Sequence, residues 1–169
     1  MIDVFDDIMP KSYVKLLNEV VTHLGFDWHY IPDATHETEP GVPSFSHLVY
    51  NHGEAGKDIN TFFPPLAEYL DLSNDKIHTL IRVRVGCLLA NSDRAHNTKH
   101  VDFEFPHMVG LYYLNDTDGP TFIWTDRGVE QVECKAGRMV VFPGHYKHAS
   151  SCPKTSPSRF VITYNFTTQ

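Results

Sequence analysis

From Ile77 to Phe166 the chain is a succession of short runs rich in β-branched and aromatic residues, each cut off by a turn signal, with no helical pattern between them. The runs predicted as strands are 79–89, 98–102, 108–115, 121–125, 129–134, 138–142, 147–150 and 158–166. Between them fall Asn91-Ser92-Asp93, Asn115-Asp116-Thr117-Asp118-Gly119-Pro120, Asp126-Arg127-Gly128, Ala136-Gly137, Pro143-Gly144 and Pro153–Pro157. Gly, Pro, Asn and Asp supply the backbone conformations that tight turns need. Closely spaced strands of this kind fit a mainly β double-sheet jelly roll, the double-stranded β-helix.

The N-terminal part has a different texture. Val14, Leu17, Val21 and Leu24 recur at three- and four-residue spacing, which predicts an amphipathic helix that begins after Pro10 and stops at Gly25. Phe26–Ile31 and Ser44–Tyr50 read as strands, and Asp33–Pro43, rich in Pro, Glu and Thr, reads as a loop with the makings of a lid. Pro64-Pro65 with Leu66, Tyr69 and Leu70 predicts a second helix over 60–70. These helices are expected to cover the outer face of one sheet. With no internal repeat, one domain is expected over 1–169, in which 1–76 support a catalytic core at 77–169.

At 169 residues, 41% hydrophobic and 21% charged, the chain can bury a core without staples. Cys87, Cys134 and Cys152 are odd in number and lack CxxC spacing, which argues against a disulfide framework and for a reducing compartment. No apolar run approaches the ~20 residues a membrane helix needs. The acidic start Met1–Pro10 has no basic segment or long apolar stretch, so it does not resemble a signal peptide, and a cytoplasmic location is expected. Lys and Arg number 14 against 21 Asp and Glu, a net charge of −7 that argues against a nucleic-acid partner.

The chemistry concentrates in His100-Val101-Asp102, His148 and Arg159. On a strand, His-x-Asp places both side chains on one face, because side chains alternate with a period of two. His148 opens a strand after the Phe142-Pro143-Gly144 turn and completes two imidazoles and a carboxylate. That set holds non-haem Fe(II) while leaving coordination positions open. Among other histidines, His96 and His107 have no carboxylate two residues away, and His145, beside Gly144, suits a turn better than a ligand position. A His-x-Asp tripeptide by itself is common in surface loops; the strands, His148 and Arg159 together give it weight.

In 158–166, Arg159, Val161 and Thr163 share one strand face, and Phe160, Ile162, Tyr164 and Phe166 share the other. A guanidinium pairs bidentately with a carboxylate, so Arg159 suits the far carboxylate of a 2-oxo acid. Metal triad and arginine together point to an oxygenase dependent on Fe(II) and 2-oxoglutarate. Arg82 and Arg84 alternate with Ile81, Val83 and Val85. They are expected to be solvated charges on an open sheet face, the other reading being that either looks into the barrel mouth and meets substrate. Trp124 and Phe103 are candidates to line the substrate entrance, although aromatic strand residues more commonly belong to the core.

The segment 98–166 resembles the catalytic core of the prolyl 4-hydroxylase branch of the Fe(II)/2-oxoglutarate-dependent dioxygenase superfamily. It is similar to the hypoxia-sensing prolyl hydroxylases and their small bacterial and viral relatives. Leu111-Tyr112-Tyr113-Leu114-Asn115 resembles the strand that carries a cosubstrate-binding tyrosine, here Tyr113. Arg159 with Thr163 resembles the strand whose two polar side chains reach the cosubstrate, and Gly137–Pro143 followed by His148 resembles the approach to the distal ligand. The resemblance implies His100, Asp102 and His148 as catalytic metal ligands, and Arg159, Tyr113 and Thr163 as 2-oxoglutarate contacts. It also implies O2, ascorbate as accessory reductant, and hydroxylation of a peptide or protein with succinate and CO2 released. Asp102 leaves no room for a halide ligand, which favours hydroxylation over halogenation.

Two departures stand out. Asp118-Gly119-Pro120-Thr121 replaces the usual Gly-Gly-x-Leu, which predicts a smaller, more polar pocket wall, and Leu88-Leu89-Ala90 lacks the tyrosine of the hypoxia-sensing members. They point away from the sensing enzymes specifically. Residues 1–76 carry no family motif. The competing class is a non-redox, cupin-like metal-binding isomerase or ligand-binding module, which would not need Arg159 and Tyr113 arranged for a five-carbon diacid. Besides a peptide, a free amino acid, another small metabolite or a nucleobase are alternative substrates, and the acidic charge argues against the last.

Overall fold

A computed structural model describes residues 1–32, 42–91, 93 and 95–169. In chain order the elements are β1 (Asp3–Phe5), α1 (Lys11–Thr22), β2 (His29–Ile31), β3 (Ser44–Asn51), β4 (Glu54–Ala55), α2 (Ile59–Phe62) and α3 (Pro64–Ser73). There follow β5 (Ile77–Leu89), β6 (Met108–Tyr113), β7 (Thr117–Thr125), β8 (Gly128–Cys134), β9 (Met139–Pro143), β10 (His148–Ser150) and β11 (Ser158–Thr168). Residues 33–41, most of the predicted 33–43 loop, lie outside the described residues.

The strands form two antiparallel sheets, as the jelly-roll expectation requires. The larger is ordered β1-β9-β6-β11-β5-β3-β2 with β4 beside β3, and the smaller is ordered β10-β7-β8. Strand β11 is the pivot, paired on one side with β5 and on the other with β6. Its alternation separates two apolar clusters. Phe160, Ile162, Tyr164 and Phe166 pack with Val83, Val85, Tyr112 and Val141 on the outer face, where Leu17, Val21, Leu66 and Tyr69 of the helices cover them. Val161 faces the other way, joining Leu111, Tyr113, Val140 and Phe142 against Ile123, Val132 and Cys134 of the smaller sheet.

Several local expectations change. The strand predicted over 26–31 is reduced to His29–Ile31, Thr117–Pro120 belong to β7 where a turn was expected, and Phe103 and Trp124 are half-buried outside both apolar clusters. The predicted strand 98–102 is not a strand; His100 makes only an isolated antiparallel bridge with His148, and bends follow it. That bridge adds a fourth, one-residue rung to the small sheet beside β10. The helix predicted over 60–70 is split into α2 and α3 at Phe63, because Pro64 has no N–H to continue a helical ladder but suits a first turn. Helix α1 ends at Thr22, short of Gly25, which leaves Leu24 fully exposed. No described helix is long and apolar enough to cross a membrane, and all three cysteines are buried and free.

Asp6, just after β1, clasps the far side of the sheet: its carboxylate accepts from Arg138 Nε at 2.7 Å, from Arg138 Nη2 at 3.0 Å and from Lys135 Nζ at 3.2 Å. These contacts, led by the Arg138 hydrogen bonds, lower its pKa to about 2. A carboxyl with a folded-state pKa below its unfolded one stabilises above the unfolded value and loses that contribution as pH falls through 4 towards 2. Asp6→Asn is therefore expected to cost up to about 1 kcal/mol at pH 7, limited by solvent screening, and almost nothing at pH 2; urea unfolding at the two pH values measures both. Leu17 is fully buried between α1 and the large sheet. Leu17→Ala should lower the unfolding free energy by about 2–5 kcal/mol, whereas a loss under about 0.5 kcal/mol would mean that α1 unfolds independently of the sheets.

Candidate active site

One cavity opens between the inner faces of the two sheets, with different chemistry at its two ends. At the first end stand His100, Asp102 and His148, whose ligand atoms all lie within 4.8 Å of one another. The segment that carries the first two is bent, so period-two alternation is not what brings them together. Convergence comes from the paired backbone bonds between His100 and His148, N to O at 3.0 and 2.9 Å, which hold the imidazoles side by side with centroids 4.6 Å apart. The chain then turns so that Asp102 Oδ1 lies 3.8 Å from His100 Nε2.

Each imidazole faces a backbone carbonyl with its Nδ1, Thr98 O at 3.1 Å for His100 and Tyr146 O at 3.4 Å for His148. If Nδ1 carries the proton in both rings, both Nε2 atoms are left as lone-pair donors. Burial, partly opposed by Asp102, lowers the His148 pKa to about 4, so its ring stays neutral. Burial alone would raise the pKa of Asp102. The Arg82 and Arg84 guanidinium groups and the Asn165 hydrogen bond outweigh it and hold the carboxyl well below the usual carboxylate range. The cluster thus offers two imidazole nitrogens and one carboxylate anion.

Asp102 is braced by residues that the sequence did not single out for this role. Asn165 Nδ2 donates to Asp102 Oδ2 at 2.7 Å, and Asn165 Oδ1 accepts from Arg82 Nε at 3.0 Å. Arg82 Nη2 lies 3.0 Å from Asp102 Oδ1 as an ion pair, out of line for a hydrogen bond. The Arg82 guanidinium also sits 4.8 Å above the Phe103 ring. Neither Arg82 nor Arg84 is a solvated charge on an open face; both point inward from β5, and Arg84 lines the cavity. The signal for Asn165 was legible: it continues the Arg159, Val161, Thr163 face of β11 by two more residues. His145 is exposed, packed edge-to-face against Tyr146 and outside the cluster.

The second end is closed by Arg159, only 2% exposed. Its Nη2 donates to Thr121 Oγ1 at 2.8 Å, its Nε is buried without a partner, and no carboxylate among the described residues pairs with it. Thr163 lines the cavity between the two ends. Tyr113 is wholly buried, its hydroxyl 2.8 Å from Thr121 Oγ1 and its ring 5.4 Å from the Arg159 guanidinium carbon. Thr121, not Tyr113, forms the wall itself. The Asp118–Thr121 departure therefore sits at the arginine, and it is polar as expected. Gly119 next to it has no room for a side chain: a Cβ there would come within 2.7 Å of Ser151 O.

No family profile matches the sequence, and no curated protein does either. Solved structures do match in fold. The 2OG-Fe(II) oxygenase-family oxidoreductase from Burkholderia pseudomallei superposes with a TM-score of 0.75 at 10% identity, over 98% of this chain and 85% of that one. A Pseudomonas putida prolyl-4-hydroxylase gives 0.68 at 15% identity, over 99% and 92%. The viral collagen prolyl hydroxylase of Paramecium Bursaria Chlorella virus-1 gives 0.63 at 14% identity, over 98% and 96%. The protein has the fold of the 2-oxoglutarate/Fe(II) oxygenases.

Asn165→Ala removes the donor to Asp102 and leaves Arg82 Nε without its acceptor. Groups that orient a ligand typically matter 10- to 100-fold in metal affinity. Fe(II) titration of this variant should show a loss in that range, with the fold intact by circular dichroism.

Proposed function

We propose that the protein is an Fe(II)- and 2-oxoglutarate-dependent oxygenase that hydroxylates an unactivated C–H bond. The observation that carries this reading is the buried, uncompensated Arg159 at one end of a cavity whose other end presents His100, Asp102 and His148. A buried guanidinium without a counter-charge is unfavourable by several kcal/mol, so the site is built for an anion. A diacid whose other end chelates a metal satisfies both ends at once. A cupin-like isomerase would explain the donor set but not the buried cation.

The donor set fits Fe(II): two imidazole nitrogens and one ionised carboxylate, with no fourth protein ligand among the described residues. His100, Asp102 and His148 would hold the metal. Arg159 would take the far carboxylate of 2-oxoglutarate, with Thr121, Thr163 and Tyr113 setting its hydrogen-bonding surroundings. When bound, the iron supplies the activation of O2 that couples oxidative decarboxylation of 2-oxoglutarate to succinate and CO2 with insertion of one oxygen atom into the substrate C–H. The chain's own contributions are physical. Arg82 and Asn165 keep Asp102 ionised and aimed, the backbone bridge holds the two imidazoles together, and the apolar walls formed by Leu111 and Val161 limit water at the reacting atoms.

For the substrate, we propose a peptidyl or protein prolyl group as the first to test, on the resemblance of Leu111–Asn115 and Arg159–Thr163 to the prolyl 4-hydroxylases. The solved neighbours include a prolyl hydroxylase from Trichoplax adhaerens in complex with a hypoxia inducible factor peptide and HygX from Streptomyces hygroscopicus with hygromycin B bound, so the fold serves peptide and small-molecule sites. We also propose a reducing, cytoplasmic setting with ascorbate as accessory reductant, supported by three free cysteines.

Anaerobic addition of Fe(II) and then 2-oxoglutarate to the apo-protein should produce a weak visible metal-to-ligand charge-transfer band, absent in Asp102→Ala. Arg159→Ala should keep iron binding and weaken 2-oxoglutarate by about 100-fold or more. Iron binding without the band in the wild type would move the protein to the cupin-like class.

A further inference from the structure

Arg84 and Arg159 line this cavity and Arg82 stands against Asp102 at one end of it; two of the three have evident employment. Arg82 is held by Asp102, Asn165 and Phe103. Arg159 is tied to Thr121 and faces the end of the cavity assigned above to 2-oxoglutarate. Arg84 has none: it forms no side-chain hydrogen bond and no ion pair with any of the described residues. Its place is nevertheless fixed by the sheet. In β5 it stands opposite Thr163 of β11 on one side and Leu48 of β3 on the other, and its neighbours Val83 and Val85 are fully buried on the helix side. The strand therefore cannot turn Arg84 outward without exposing the core, and its side chain lines the cavity beside His100 and Asp102.

The charges of the loaded site do not balance. Counted over the described residues, a divalent metal and three guanidinium groups oppose one Asp102 carboxylate and a dianionic cosubstrate, which leaves a formal surplus of two positive charges around a partly enclosed pocket. A cation held in such a place by backbone geometry, with open space in front of it, selects for a negatively charged guest. The guest belongs towards the end that carries His100, Asp102 and His148, since Arg84 stands opposite Thr163, two positions along β11 from Asn165 and four from Arg159.

We propose that Arg84 is the anchor for a carboxylate group on the primary substrate, so that the hydroxylated carbon is presented by an acid: a free amino acid or chain end, or an acidic side chain within a peptide. This rests on the oxygenase reading above. It makes Arg84 a specificity-determining residue that acts on substrate and not on iron or 2-oxoglutarate.

The test uses the full-length protein loaded with Zn(II), a diamagnetic stand-in for iron, and with saturating 2-oxoglutarate, observed through arginine Nε–H signals in nitrogen-15 spectra. Loss of one signal in Arg84→Gln assigns it. The probes are N-acetylglycine, which presents its carboxylate as a free amino acid or chain end does, and N-acetylaspartic acid α-amide, which presents it as an acidic side chain does. N-Acetylglycinamide is the neutral control. At least one acid should shift the Arg84 signal with saturation while the amide does not, and Arg84→Gln should bind that acid about tenfold or more weakly. The tighter acid identifies the source of the carboxylate. Equal affinity in wild type and Arg84→Gln, or an Arg84 signal indifferent to both acids, overturns the proposal. The charge-transfer band with Fe(II) and 2-oxoglutarate is measured alongside in both proteins: its presence with no acid binding discards the Arg84 role alone, and its absence in the wild type discards the oxygenase reading.

Discussion

Burying Arg159 is the act on which the rest of this site depends. A guanidinium taken out of water costs several kcal/mol unless charge and hydrogen bonds answer it, and here the protein answers only in part, through Thr121. The sheet can carry that load because β11 is paired along both edges and cannot relax its register. Moving the strand by one residue would carry Phe160, Ile162, Tyr164 and Phe166 into the cavity and Arg159 into the apolar layer beneath the helices. The cover supplied by α1 and α3 is thus connected to the Arg159 end of the cavity. It holds one face of β11 so firmly that the other can present a charge.

The end that carries His100, Asp102 and His148 is held by a different device. The chain from His100 to Asp102 has no strand partners beyond one bridge, so precision comes from individual bonds: two backbone bonds between the histidines, a carbonyl facing each Nδ1, and the Arg82–Asn165–Asp102 network. Asn165 is the point where the two ends meet. It lies on the same face of the same strand as Arg159 and Thr163, so the rigidity of β11 extends to the carboxylate. Asp102 is ionised not because it is exposed but because one amide donor and nearby cations outweigh its burial.

Within the shared fold, several polar choices give this chain its own site. Thr121 puts a hydroxyl between Arg159 and Tyr113, Asn165 braces Asp102, and Arg82 and Arg84 add positive charge from β5. Identities of 10–15% with structures that superpose over nearly the whole chain show how few positions the fold itself demands. Small polar residues at the cavity wall are where such a scaffold diverges.

Much of this was legible in the amino-acid order, and the reason is periodicity. Alternation in 158–166 separates the face of Arg159 and Thr163 from the face that meets the helices, and turn residues mark the ends of most core strands, because both depend on neighbours within a few positions. The Pro64 break in the second helix was readable for the same local reason, though Leu66, Tyr69 and Leu70 drew attention to one continuous helix. What the order of residues could not convey is which strands become neighbours. Arg82 and Arg84 alternate with valines in a way that suits a solvated face equally well; only the small sheet closing over β5 turns them inward. His-x-Asp suggested a strand, yet its convergence with His148 comes from a bridge between residues far apart in the chain. Local chemistry determined the faces and the candidate residues, whereas the pairing of distant backbone groups decided what those faces enclose.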